Sequence, residues 1–164
     1  MDDKRNDIYI HIDKKTSEVP FDKLKAAVKE ALLCFIPRIS VQWGGDSQVR
    51  VTMMLLEEAV KTDHIYYHFI SGVDMPLKTQ DEFHRFFKEN QGKVFVQTMI
   101  GNSRFRDCIA DSYMRCIDWK RGAPYTFTIE DYDMLMNSGM FFARKFDEHV
   151  DMEIVNKLYK TLSK

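Results

Sequence analysis

The sequence predicts an α/β protein, with a sheet flanked by helices in three layers. Three observations carry that prediction. Short β-rich runs at residues 8–13, 64–71 and 140–143 are separated by segments whose apolar residues recur at helical spacing. Helix-start signals stand at Thr79 and Thr128, ahead of two of those segments. No repeat, linker or low-complexity tract interrupts the chain, so one domain is expected over residues 1–164.

Taken in order, Ile8-Tyr9-Ile10-His11-Ile12-Asp13 alternates β-formers and ends on an acid, which reads as a strand delivering Asp13 to an edge. Residues 21–35 place Leu24, Ala27, Val28, Ala31, Leu32 and Phe35 at helical spacing, and Pro37 follows; one helix is expected there. Residues 39–43 read as a short strand, and Gly44-Gly45-Asp46-Ser47 as a turn whose Ser47 caps a helix to about Lys61. The run HIYYHFIS at 64–71 is the strongest strand signature, being rich in aromatic and β-branched residues. Gly72-Val73-Asp74-Met75-Pro76 reads as a turn. Thr79-Gln80-Asp81-Glu82 has capping-box spacing and opens a helix that should end near Gln91-Gly92. A strand is expected at 94–96, a short helix and loop from 97 to 111, and another strand within 114–119. Thr128 should cap a helix over 129–137, and a last helix begins near Asp151.

Composition narrows the function. Lys plus Arg total 24 against 25 Asp plus Glu, a net charge of −1, so the basic stripe of a nucleic-acid binder is absent. Any phosphate site must come from local placement. Three cysteines without a CxxC pair suggest reduced thiols and a cytoplasmic chain. The polar start Met1-Asp2-Asp3-Lys4-Arg5 carries no leader signature, and no apolar run approaches a membrane span. Peripheral contact at the inner face of a membrane stays compatible with this composition.

The most informative stretch is Phe141-Phe142-Ala143-Arg144-Lys145-Phe146-Asp147, where two adjacent cations follow an apolar run. If 140–143 form a buried strand, Arg144 and Lys145 emerge at its carboxyl end, where open α/β sheets meet their ligands. Fixed cations there suit an anionic leaving group such as a diphosphate. A strand followed by a solvated basic pair is the plainer reading, and the segment alone leaves both open. Asp131-Tyr132-Asp133 is formally an Asp-x-Asp triplet, but it falls in the first turns of a helix, where acids favour the dipole. It reads as a cap rather than a metal site. The five histidines make no ligand cluster, and Cys108 and Cys116 read as buried structural thiols.

Four segments together resemble a known family. They are Tyr9-Ile10-His11-Ile12-Asp13-Lys14-Lys15, Val41-Gln42-Trp43-Gly44-Gly45-Asp46-Ser47-Gln48-Val49, Ile70-Ser71-Gly72-Val73-Asp74-Met75-Pro76-Leu77, and the stretch from Phe141 to Asp147. In this order they are similar to the core-2/I-branching glycosyltransferases (glycosyltransferase family 14), β-1,6-N-acetylglucosaminyltransferases related to peptide O-xylosyltransferases and to bacterial proteins. Met114-Arg115-Cys116-Ile117-Asp118-Trp119 supplies a fifth, looser match.

The resemblance implies a GT-A-like α/β/α nucleotide-sugar fold, and inverting transfer of a GlcNAc- or xylose-type sugar from a UDP-sugar to the hydroxyl of a glycan or glycolipid. It implies no cofactor and no obligatory metal, because this family holds the diphosphate with basic side chains. Carried over by position, Arg115 and Lys145 would neutralise the diphosphate, with Arg144 beside them. Asp13 would lie near the uracil, Asp74 would help shape the donor-sugar pocket, and Trp43 would stand on the wall nearby.

Two departures qualify the match. Relatives place a further strand and helix before the segment matching Asp7 to Lys15. They also carry a long stretch, with the catalytic glutamate, before the segment matching Gln97 onward. Here Val96 runs straight into Gln97 and no glutamate stands at that junction. The chain therefore reads as a bacterial-type member abridged at the front and in the middle. It is expected to be a poor or inactive transferase; the alternative is an abridged non-catalytic relative that acts as a nucleotide- or glycan-binding or interaction protein.

Overall fold

A computed structural model of the chain describes residues 1–93 and 114–163. The strand expected at 94–96, the helix and loop expected to 111, and Cys108 lie outside the described residues. The fold is mixed α/β, as expected, with five α-helices and two small sheets among the described residues. Two compact units divide it, Met1–Tyr67 and His68–Lys164.

In the first unit, β1 (Asp7–Ile10) pairs in parallel with β2 (Leu32–Phe35), joining Asp7 to Leu32 and Ile10 to Phe35. The helix expected over 21–35 is corrected here. Helix α1 (Phe21–Ala27) stops after 7 residues, and the second half of that stretch is the strand β2. The cause is non-local. The Asp2 carboxylate accepts hydrogen bonds from the backbone N–H groups of Lys29, Glu30 and Ala31 at 2.8–2.9 Å, taking amides that a continued helix would need. Val28 turns extended, with ψ 116°, and the chain enters the sheet.

Helix α2 (Asp46–Ala59) begins after Gly45, and Gly44 takes the left-handed φ of +71° that its turn requires. Ser47 is not the cap: its hydroxyl instead accepts from the Gln42 N–H at 2.8 Å, bracing the turn. The strand expected at 39–43 does not form. Ile39 is held by the loop at 11–14, donating its N–H to His11 Nε2 at 3.1 Å and accepting from Lys14 N at 3.0 Å. After α2, His64 Nε2 meets Asp7 Oδ2 at 2.9 Å and ties that end of the unit to β1.

The run at 64–71 pairs with no described strand, and Ile65, Tyr67, Phe69 and Ile70 are all exposed. Aromatic and β-branched residues favour a strand only where a neighbour supplies the ladder and a half-buried surface.

In the second unit the sheet order is β3 (Asp74–Pro76), β5 (Phe142–Arg144), β4 (Arg115–Ile117). β5 is central, antiparallel to β3 and parallel to β4. Ala143 faces a core of Leu77, Phe127, Leu135, Phe146, Ile154 and Leu158, with Met75 and Cys116 packed beside it. Leu135 comes from α4 (Tyr132–Asn137), and Ile154 and Leu158 come from α5 (Met152–Leu162). Phe142 turns the opposite way and meets Phe83 of α3 (Gln80–Glu89) edge-on at 5.1 Å. Helices thus cover both faces of this sheet, as three layers require.

Caps fix the helix starts. Thr79 and Glu82 form the expected capping box, each bonded to the other's backbone N–H. Asp151 caps α5 through Glu153 N and Ile154 N, and its other oxygen accepts from Ile129 N at 2.8 Å. Thr128 precedes a short 3-10 turn (Ile129–Asp131) that leads into α4. No described helix is long and apolar enough to cross a membrane.

Candidate functional site

Strand register in the second unit brings charges together. Side chains alternate along a strand, so Phe142 and Arg144 share one face of β5 while Ala143 occupies the other. Asp74 lies opposite Arg144 and Arg115 lies opposite Phe142, so all three charged residues belong to that same face. Asp74 was expected on a turn; it is instead the first residue of β3, with the turn just before it.

The result is a three-residue ionic cluster. Asp74 Oδ2 is 3.7 Å from Arg115 Nη2, and its Oδ1 is 3.9 Å from Arg144 Nε. The Asp74 side chain is 1% exposed, against 20% for Arg115 and 37% for Arg144. Both separations exceed hydrogen-bond reach, so the attraction is Coulombic and the guanidinium donors are not saturated by it. Among the described residues, Asp74 Oδ1 and Arg115 Nε are buried without a hydrogen-bond partner. Other contacts hold the frame. Ser71 N–H donates to Asp74 Oδ2 at 2.7 Å, Arg115 Nη2 donates to the Phe69 carbonyl at 2.6 Å, and the Arg115 guanidinium stands over the Phe142 ring at 5.8 Å.

Arg144 and Lys145 stand in succession at the carboxyl end of β5, as the sequence suggests, but their surroundings differ. Arg144 is the last residue of β5 and engages Asp74; Lys145 follows the strand and makes no ion pair with that cluster. Its backbone is fixed, the Lys145 N–H donating to Tyr125 O and its carbonyl accepting from Phe127 N. Two guanidinia against one carboxylate leave the cluster net positive, which suits an anion.

Asp13 and Trp43 belong to the first unit. Asp13 Oδ1 accepts from the N–H groups of Lys15 at 2.9 Å and Val41 at 3.3 Å. The Lys15 bond, above all, holds its carboxyl below the ordinary range. Trp43 is 89% exposed, on the turn braced by Ser47 and Gln48.

The remaining candidates have structural partners. Asp131 is buried, receives the Thr128 N–H at 2.9 Å and pairs with Arg121 Nη1 at 2.8 Å, so its cap role holds. Asp133 lies in the first turn of α4. Arg121 also bonds Asp118, whose carboxyl is pulled down to about 2, chiefly by that bond. Burial raises the Cys116 thiol above its usual range, which agrees with a structural thiol. Glu82 is committed to its capping box. Among the described residues, no three His, Cys, Asp or Glu side chains are grouped to hold a metal ion.

The resemblance assigned Arg115 and Arg144 to the diphosphate and Asp74 to the donor-sugar pocket, but the sequence did not show that this carboxylate meets both guanidinia, and it missed Phe69, Ser71 and Phe142 as supports. Period-two alternation around Ala143 was the available signal for Phe142.

Comparison with family models gives a match to the Core-2/I-Branching enzyme family over residues 1–95. That span holds Asp13, Trp43 and Asp74, and ends before Arg115, Arg144 and Lys145. No curated protein matches the chain.

Proposed function

Because this chain belongs to the core-2/I-branching enzyme family, which is a family of glycosyltransferases, we propose that it handles a UDP-sugar and serves inverting transfer of a GlcNAc- or xylose-type sugar to a glycan or glycolipid hydroxyl, without a metal. The single observation that carries the reading is the Asp74–Arg115–Arg144 cluster, with Lys145 next in the chain. In inverting transfer the acceptor oxygen attacks the anomeric carbon from the side opposite the leaving group. The carbon–oxygen bond to the diphosphate breaks as the new one forms, and negative charge collects on the departing oxygens. Preplaced guanidinium and ammonium groups lower the energy of that charge without reorganising. Arg115, Arg144 and Lys145 are assigned that role. In the first unit, the resemblance assigns Asp13 to the uracil and Trp43 to the donor.

The acceptor proton needs a base, and no glutamate is assigned to it: Glu82 is held in its capping box. The absence of a glutamate at the Val96–Gln97 junction favours a second reading, a nucleotide-binding relative that does not transfer. Both readings are compatible with a cytoplasmic chain, and the transferase reading with an acceptor lipid at the inner membrane face. Calorimetric titration with UDP, followed by a UDP-sugar hydrolysis and transfer assay, separates them. Binding with turnover supports the enzyme, binding without turnover the second reading, and no binding refutes both.

A further inference from the structure

We propose that Asp74 is a positioning residue: its buried carboxylate holds the Arg115 and Arg144 guanidinia together, each only half engaged, so that they receive one anionic group as a pair. The proposal rests on the reading of this cluster as the diphosphate site, and gives Asp74 a task different from lining a sugar pocket.

Three observations carry it. First, the carboxylate is fixed. It is 1% exposed, it sits on β3 opposite Arg144, and Ser71 N–H donates to its Oδ2 at 2.7 Å while Asp74 N–H returns a bond to Ser71 O at 3.0 Å. Second, it bridges. One oxygen faces Arg115 at 3.7 Å and the other faces Arg144 at 3.9 Å, so a single charge offsets the repulsion between two cations. Third, the bridge is loose. Neither contact is a hydrogen bond, and Asp74 Oδ1 and Arg115 Nε are buried with none among the described residues. A tight bidentate pair would consume the guanidinium donors that an anion needs; a Coulombic tether orients them and leaves donors over. The Phe69 carbonyl and the Phe142 ring restrict Arg115 further.

The proposal makes a counterintuitive claim about sign. By charge alone, removing a carboxylate beside two arginines should strengthen anion binding. By positioning, it should weaken binding, because two long side chains must then be ordered by the ligand itself.

Two measurements on the full chain test this. In the first, guanidinium NMR spectra are compared for the wild type, Asp74→Asn, Arg115→Lys and Arg144→Lys, the lysine variants serving to assign the two arginines. Hindered guanidinium rotation and slow proton exchange are expected at Arg115 and Arg144 in the wild type, and their loss in Asp74→Asn. Unchanged signals in Asp74→Asn would overturn the proposal. In the second, UDP is titrated calorimetrically. Asp74→Asn should weaken binding about tenfold, the effect of freeing two rotamer-rich side chains. An unchanged or tighter Kd would overturn the proposal.

Asparagine keeps the shape of Asp74 and can still accept the Ser71 N–H. Should that variant fail to fold, Arg115→Lys gives the second route, since it keeps the charge but loses the planar fork. It should also weaken UDP about tenfold if orientation rather than charge matters, and an unchanged Kd would count against positioning. A wild type that does not bind UDP refutes the donor reading, while the NMR comparison still decides the role of Asp74.

Discussion

Arg115→Ala should destabilise the second unit, and should do so through the charge it strands. The substitution removes the guanidinium 3.7 Å from Asp74 Oδ2 and the donor to the Phe69 carbonyl. It leaves a carboxylate that is 1% exposed with Arg144, at 3.9 Å, and the Ser71 N–H to compensate it. Breaking a buried ion pair from one side costs about 3–5 kcal/mol. The partial exposure of Arg115 and the remaining Arg144 place this case near the lower end, about 3 kcal/mol. Asp74→Ala should cost less, about 1–2 kcal/mol, because the two guanidinia it releases already reach solvent and can hydrate. In the double variant no carboxylate is stranded, so the combined loss should fall short of the sum by about 1–2 kcal/mol. Urea unfolding measures each value, and a Trp43→Phe background leaves Trp119 as the one tryptophan reporting on the second unit. Additivity of the single losses to within about 0.5 kcal/mol would refute the coupling.

Three further predictions concern packing and pH. Leu135→Ala empties a fully buried site in the core against Ala143 and Leu158, and should cost about 2–5 kcal/mol in urea unfolding; a loss under about 1 kcal/mol would contradict that core. The Thr79 N–H bond to Glu82, first among its causes, lowers the Glu82 pKa from 4.5. The charged form therefore stabilises the fold above that value, and the benefit is lost as pH falls through the lower folded pKa. The melting-temperature gap between wild type and Glu82→Gln should close in acid, and a constant gap would contradict the linkage. His68 is exposed by surface area, yet its ring is crowded by aromatics, 4.5 Å from Phe87 and 5.7 Å from Phe83, and that crowding rather than full enclosure is what desolvates it. That desolvation, with a smaller effect from His84, pushes its pKa down from 6.5 to about 4. Between those values the unfolded chain takes up a proton that the folded one refuses, so stability should fall as pH drops through this window. An NMR titration midpoint near 6.5 for His68 would contradict it.

What the sequence disclosed follows the range of the forces involved. The capping box at Thr79 and Glu82, the start of the last helix near Asp151 and the apolar strand before Lys145 were legible because each is written in a few adjacent residues. The break between α1 and β2 was not, because its cause is Asp2, far back in the chain, catching the amides of residues 29–31. Periodicity over 21–35 described a helix that would have left β1 without its parallel partner. The run at 64–71 failed for the reverse reason: local preference was strong and no described strand lies beside it. At the candidate site, the family resemblance pointed to Asp74 and Arg115, and the cations after an apolar run pointed to Arg144, but only register could show that one carboxylate faces both guanidinia.

The most direct test of the account is calorimetric titration of UDP into the chain, with and without a chelator, repeated for Lys145→Ala. The account predicts binding that survives chelation, weakens with added salt and drops in the variant, because side-chain cations rather than a bridging metal hold the diphosphate. Absence of binding, binding only with a divalent ion, or binding indifferent to Lys145 would contradict it.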